Sequence, residues 1–192
     1  LTDVSPAASE PITALEFLTG GQSVIVGTSS GQVTGWFRAA MPDGVEAMLK
    51  AHTFEPQGSE VVAFAASPRD RSFIASGADG TLVLRHQTSG RTLARVEGAG
   101  PAPVMVVAPK ADAVYALRER SVLPLALDNP HPEVNWHALF GRVWYEGYAQ
   151  PEFVWQSTGA TDDFESKLSL VPLIFGTIKG TLYAMLFAIP LA

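Results

Sequence analysis

Val62-Ala-Phe-Ala-Ala-Ser67-Pro-Arg-Asp70, then Ser72-Phe-Ile-Ala-Ser-Gly-Ala-Asp79-Gly80-Thr-Leu-Val-Leu-Arg85, is the stretch that decides the fold. Val61 to Ala66 is a β-branched and apolar run, ended by Ser67-Pro68-Arg69-Asp70. Ser72 to Ser76 is a second short run. Ala78-Asp79-Gly80 predicts a tight hairpin turn, because Asp-Gly takes positive φ angles at little cost. Thr81 to Arg85 is a third strand. Thr88-Ser89-Gly90 turns the chain into Arg91 to Val96, the fourth. Four short strands in about 40 residues are one blade of a β-propeller.

The same pattern occurs on both sides. Upstream, Thr13-Ala-Leu-Glu-Phe-Leu18 and Ser23-Val-Ile-Val-Gly-Thr-Ser-Ser-Gly31-Gln-Val-Thr-Gly-Trp36 align without a gap, with Gly31 at the place of Gly80. Downstream, a weaker copy runs Val104-Met-Val-Val-Ala-Pro109, Ala113-Val-Tyr-Ala-Leu117 and Ser121-Val-Leu-Pro-Leu125. Repeats of this length are those of propeller blades. The expected fold is therefore mainly β: a partial propeller of about three four-stranded blades over residues 1–127. Propellers close with 4 to 8 blades. Three leave open ends, to be covered by blades upstream of Leu1 or by a second copy.

These residues resemble the WD-repeat family. The second copy carries the resemblance best, with His52 upstream, Ser67-Pro68-Arg69-Asp70, and Ala75-Ser76-Gly77-Ala78-Asp79-Gly80-Thr81. The resemblance implies that His52, Asp79 and Gly80 are structural and help tie a blade together. Arg85 stands at the usual Trp position, which holds Trp36 in the first copy. Ser30 stands where Asp79 would be in that copy.

Composition narrows the function classes. Lys plus Arg is 13 against 19 Asp plus Glu, a formal charge of -6. That disfavours nucleic acid, whose phosphates need a basic surface. With Cys 0 there is no disulfide, thiolate nucleophile or Cys-ligated zinc. Gly27-Thr28-Ser29-Ser30-Gly31 matches the Gly-x-Ser-x-Gly nucleophile elbow, but that elbow needs a strand-to-helix turn. Here Gln32-Val-Thr-Gly-Trp-Phe37 reads as a second strand. His131 and His137 are six residues apart, about 240° around a helix, so they cannot share a face as metal ligands do. No phosphate loop, metal set, cofactor motif or acid–base pair appears, and no enzyme is expected.

From Asp128 the pattern changes. Asn129-Pro130-His131-Pro132 breaks the strands. Trp136, Phe140, Trp144 and Tyr148 then recur every four residues, which predicts an aromatic stripe on one helix ending at Gly147. Such a stripe packs on the propeller or lies at a membrane–water interface. This connector is expected over residues 128–167. Thr161-Asp162-Asp163-Phe164 is a capping sequence that predicts a new helix start. Only Lys179 is charged from Leu168 to Ala192, and the charge-poor run is long enough to begin a bilayer span. Residues 168–192 are expected to be the start of a transmembrane helix. Gly176, Gly180, Ala184, Ala188 and Ala192 recur at intervals of four and predict a stripe through which that helix packs. Leu1 and the apolar run at Ala192 predict that the chain continues at both ends.

The last 50 residues or so resemble the permease subunit of the Pst-type phosphate ABC transporter, in its long form with a large periplasmic insertion. The carrying residues are Trp144-Tyr-Glu-Gly-Tyr148, Asp163-Phe-Glu165, Leu170-Val-Pro-Leu-Ile-Phe-Gly-Thr177 and Ala188-Ile-Pro-Leu-Ala192. The resemblance implies part of an ATP-driven phosphate importer in a bacterial inner membrane, with the propeller facing the periplasm. It also implies a second permease subunit, ATPase subunits, a periplasmic phosphate-binding protein and membrane lipid as partners. The competing expectation is a propeller scaffold tethered to a membrane without transport activity.

Overall fold

The computed structural model describes residues 10–161 and 163–191. Its first sheet comprises β1 (Ile12–Phe17), β2 (Ser23–Thr28), β3 (Val33–Ala40) and β4 (Glu46–Thr53), antiparallel in that order. The second repeats the arrangement with β5 (Val61–Ala66), β6 (Ser72–Gly77), β7 (Leu82–His86) and β8 (Arg91–Val96). The third has three strands, β9 (Val104–Val107), β10 (Ala113–Arg118) and β11 (Ser121–Ala126). Its fourth position is empty among the described residues. After β11 the chain enters Asp128-Asn-Pro-His-Pro132, and prolines cannot donate to a strand ladder.

The sheets stack as propeller blades, with β1, β5 and β9 adjacent along the inner edge. Two oily seams hold them. Ile25, Val33, Phe54, Val61, Phe64 and Phe73 fill the first. Ile74, Leu82, Met105, Val107, Val114 and Ala116 fill the second. Side chains stitch the inner edges: Thr13 Oγ1 donates to Val61 O at 2.6 Å, and Thr19 Oγ1 to Ser67 O at 2.5 Å. The hairpin glycines Gly31 and Gly80 sit at φ 84° and 83°, and the next loop presses its backbone on each. A Cβ at Gly80 would lie 2.7 Å from Gly100 Cα, so both the left-handed angle and the space demand glycine.

The stack is open. Leu15 and Phe17 are exposed on the first blade, and Val104, Val106, Tyr115, Leu117 and Val122 on the third. No closed ring forms among the described residues.

The connector departs from the sequence expectation. Its helix α1 spans only Trp136–Phe140. Asn135 caps its start, accepting from Ala138 N at 2.9 Å. Gly141 is extended (φ -93°, ψ 174°) and ends it. Val143 and Glu152 then exchange two backbone hydrogen bonds of 3.1 Å, which draws the chain into a bridge instead of a second helical turn. Trp136 and Phe140 are therefore helical, while Trp144 and Tyr148 are not, and the single aromatic face does not form.

The second helix start is corrected as well. Phe164 N meets Thr161 O at 3.2 Å in one turn, with Asp162 outside the described residues. The chain then pairs as β12 (Trp155–Gln156) with β13 (Lys167–Leu168), and only afterwards does α2 (Val171–Leu191) begin. Pro172 lies in its first turn, where the missing N–H costs nothing. None of the residues of α2 is buried.

Candidate functional site

The residues flagged in the sequence fall in different places. Asp79 shapes the β6–β7 turn: its Oδ1 accepts from Thr81 N at 2.9 Å, a bond that leads the causes holding its carboxyl below the usual range. Gly80 is beside it. His52 is on β4, opposite Gly35, and its ring lies against Gly90 in the β7–β8 turn. Asp79 and His52 thus flank opposite ends of β7 and do not bond to each other. Burial lowers the basicity of the His52 ring.

Two side chains reach the Asp79 end: Ser59, whose Oγ accepts from Asp79 N at 3.4 Å, and Gln57. Gln57 Nε2 donates to Ala75 O at 3.3 Å and Thr81 O at 2.9 Å. Arg85 completes the group, with Nη1 on Gln57 Oε1 at 3.3 Å and Nη2 on Glu55 O at 2.9 Å. Its guanidinium is fully buried and lies over the Phe54 ring, and burial brings it down to about 10, so it stays charged at neutral pH. The buried Arg at the Trp position is thus bonded through both terminal nitrogens, while its Nε has no partner. Sequence reading missed Gln57. A buried Arg at a slot meant for an aromatic was the available signal, since it demands acceptors nearby.

The Gly27-to-Gly31 motif is a hairpin between β2 and β3, with Gly31 N donating to Thr28 O at 3.1 Å. His131 Nδ1 is 3.4 Å from Glu133, and His137 Nε2 is 3.1 Å from Arg142 O. No cluster of three or more His, Asp or Glu placed for a metal occurs among the described residues.

The connector lies as a strap across one end of the blades and there forms the main polar site. Arg71, from the β5–β6 turn, meets Glu146 of the strap at 2.7 Å, with the side chains 6% and 9% exposed. Trp144 packs edge-on against Phe37 of β3 at 5.7 Å, and Ala39 bridges Gly147. Glu165 enters beside His86, 3.8 Å away. This is not an ion pair. Burial pushes Glu165 up to about 7 and His86 down to about 4, so His86 is neutral wherever Glu165 is charged. His86 Nδ1 also sits 2.9 Å from Ser89 Oγ, which resembles the start of a Ser–His–acid relay. Ser89 N donates to the same nitrogen at 3.3 Å, and the adjoining space of about 10 Å³ holds one water at most. The contact fixes a turn.

An open cleft of about 470 Å³ runs from this cluster between the strap and the second and third blades. Its rim carries Arg69, Arg71 and Lys110 against Asp70, Asp112, Asp128, Glu133 and Glu165, a mixed and slightly acidic lining.

One expected result concerns Glu165. A folded value near 7 against 4.5 in the unfolded chain means that the native state holds the extra proton between those pH values. Its contribution is fully present below 4.5 and is lost as pH rises through 7. His86 has the opposite sign: its contribution is lost as pH falls from 6.5 toward 4. Glu165→Gln should therefore flatten the loss of stability between pH 5 and 8.5 by about 2 kcal/mol. Denaturant midpoints of both chains in detergent at the two pH values check this. Parallel curves would show that burial does not hold the Glu165 carboxyl above its unfolded value.

The last feature is α2. It is long and apolar enough to cross a membrane, over Val171–Leu191. Thr177 Oγ1 donates to Leu173 O and Thr181 Oγ1 to Thr177 O, both at 2.9 Å, so its hydroxyls are satisfied within the helix. Gly176 and Gly180 face open space, with no atom within 4 Å of an added Cβ. Ala184 and Ala188 follow on the same helix, and no residue of it is buried. Ala192 lies outside the described residues.

No protein-family model matches the chain, and no curated protein matches it. Among solved structures it is similar to the β-propeller domain of Cps50 (Swd1) from Myceliophteria thermophila, with a TM-score of 0.52 and 16% identity. The match covers 66% of this chain and 39% of that one. At this identity the likeness concerns fold alone: the sheets are propeller-like blades, and the chain spans well under half of the propeller it matches.

Proposed function

We propose that residues 1–127 are the extramembranous propeller part, 128–167 the strap, and 168–192 the first part of the membrane domain, of a permease subunit in an ATP-driven phosphate importer. The observation that carries this reading is α2. Leu170-Val-Pro-Leu-Ile-Phe-Gly-Thr177 falls at its start, and it stands free of the blades along its whole length. In this reading the propeller faces the periplasm, and the small residues of α2 meet other helices of the membrane domain. The cleft is not assigned to phosphate, since its lining is mixed and slightly acidic. The second reading, a tethered scaffold without transport, is favoured by the propeller fold itself.

Phosphate uptake separates the two. In cells with every other phosphate importer deleted, Gly180→Leu in the full-length protein should reduce uptake or assembly several-fold, because a bulky side chain prevents close helix approach. Leu186→Ala should matter less. Unchanged uptake with leucine at both Gly180 and Ala184 would refute the packing role, and normal uptake without the protein would leave the scaffold.

A further inference from the structure

The aromatic residues of the strap divide into two groups. Trp144, Tyr145 and Tyr148 turn inward. Trp144 sits on Phe37 and donates its Nε1 to Tyr148 O at 2.8 Å, while Tyr145 is buried with Ala138 and Val143. Trp136, Phe140, Phe153 and Trp155 turn outward, and Trp136 is 79% exposed. Large aromatic rings left in water lose the stabilisation that burial would give them.

The outward group gathers at the foot of α2. Leu170 N, one residue before the helix, donates to Leu139 O at 2.8 Å, and Leu139 precedes Phe140. Trp155 pairs with Leu168 across the β12–β13 ladder. Ser169 N donates to Val154 O at 3.0 Å, between Phe153 and Trp155. Trp136 stacks on Phe140 with ring centres 5.7 Å apart. The Arg142 guanidinium lies over the Phe153 ring at 5.4 Å. Backbone hydrogen bonds thus join these aromatics to the residues just before the helix, with no free linker between.

We propose that Trp136, Phe140, Phe153 and Trp155, with Arg142, form an interfacial belt that lies in the headgroup layer of a bilayer and seats the strap on the membrane. The proposal rests on the reading of α2 as a membrane span. If the apolar span begins at Val171, Leu168 to Leu170 lie at the level of the headgroups, and their bonded neighbours lie there too. Tryptophan suits that layer, because its ring is apolar and its N–H reaches polar partners. Arg142 supplies a cation for lipid phosphate. The occupant of this surface is lipid because the surface is continuous with the helix that enters lipid. A rigidly seated strap would in turn fix the propeller's height above the bilayer.

Single-cysteine chains test this directly, since the protein has Cys 0. A fluorescent label is placed at Trp136→Cys, Trp155→Cys, Leu182→Cys in mid-helix, or Ser30→Cys in an exposed turn of the first blade. Each chain is reconstituted whole in vesicles of phosphatidylglycerol and phosphatidylcholine. Labels at 136 and 155 should lose emission to a headgroup nitroxide lipid, the label at 182 to a mid-chain nitroxide, and the label at 30 to aqueous iodide only. In the unsubstituted protein, lipid brominated near the headgroup should reduce the intrinsic tryptophan emission, which guards against damage by labelling. Lipid quenching at 182 with iodide quenching at 136 and 155 overturns the belt and leaves the span intact. So does protection of 136 and 155 from both lipid and iodide, which would point to a protein partner. An unquenched label at 182 overturns the span, and the belt with it.

Discussion

An Arg71→Ala chain should be less stable by about 3–5 kcal/mol, since one partner of a buried pair is removed and the other stays behind as an unpaired charge. Arg71 is the centre of the strap's polar contact. It holds Glu146 at 2.7 Å with both side chains largely out of water, and its charge also favours the ionised form of Glu165. Loss of the guanidinium leaves two strap carboxylates near Lys167 alone, whose own basicity burial has lowered. The strap should then lift from the blades, so limited proteolysis should cut between Arg142 and Ser166 sooner than elsewhere. The double change Arg71→Met with Glu146→Leu should recover most of the stability, because neither charge remains to be desolvated. An Arg71→Ala chain with unchanged unfolding and proteolysis would mean that the strap is held by the Phe37–Trp144 contact and the Ala39–Gly147 bridge without the ion pair.

Phe73→Ala should cost a similar amount, about 3–5 kcal/mol, through lost burial and the cavity left behind. Phe73 is fully buried at the seam of the first two blades. Its ring meets Phe54, just past the end of β4, edge-on at 5.3 Å and Phe64 of β5 at 5.9 Å, so three aromatics lock together there. Tyr115→Ala on the exposed face of the third blade is the control and should cost under about 1 kcal/mol. Thermal unfolding followed by near-ultraviolet circular dichroism reads both. Equal losses at the two positions would mean that the blades do not pack as the seams require.

The blades were legible because their signals are local. Short β-branched and apolar runs, Ser-Pro-Arg-Asp and Ala-Asp-Gly turns, and Gly31 aligned with Gly80 all lie within short windows. The apolar span was legible for the same reason. The connector was not. Its aromatics recur every four residues, but Gly141 and the Val143–Glu152 bridge decide the outcome, and a bridge between residues nine apart leaves no periodic trace. The capping reading at Thr161 failed because Lys167–Leu168 finds a strand partner in Trp155–Gln156. The polar ties were the least visible. Arg71 and Glu146 are 75 residues apart, and His52 carries a familiar position while Gln57 and Ser59 make the bonds at the Asp79 end. Long-range pairs of this kind depend on the stacking of the blades, which a single sequence does not encode as a pattern.

Retention of the chain in membranes after an alkaline carbonate wash is the most direct test of whether α2 (Val171–Leu191) anchors the propeller segment. The unmodified protein should stay with the bilayer. Arginine at both Leu182 and Leu186 should release it, since each charge near the centre of a span costs about 2.5–3.5 kcal/mol on insertion scales. Recovery of the unmodified protein in the wash, with its blades intact, would contradict the anchoring and return α2 to the surface of a protein that does not enter the membrane.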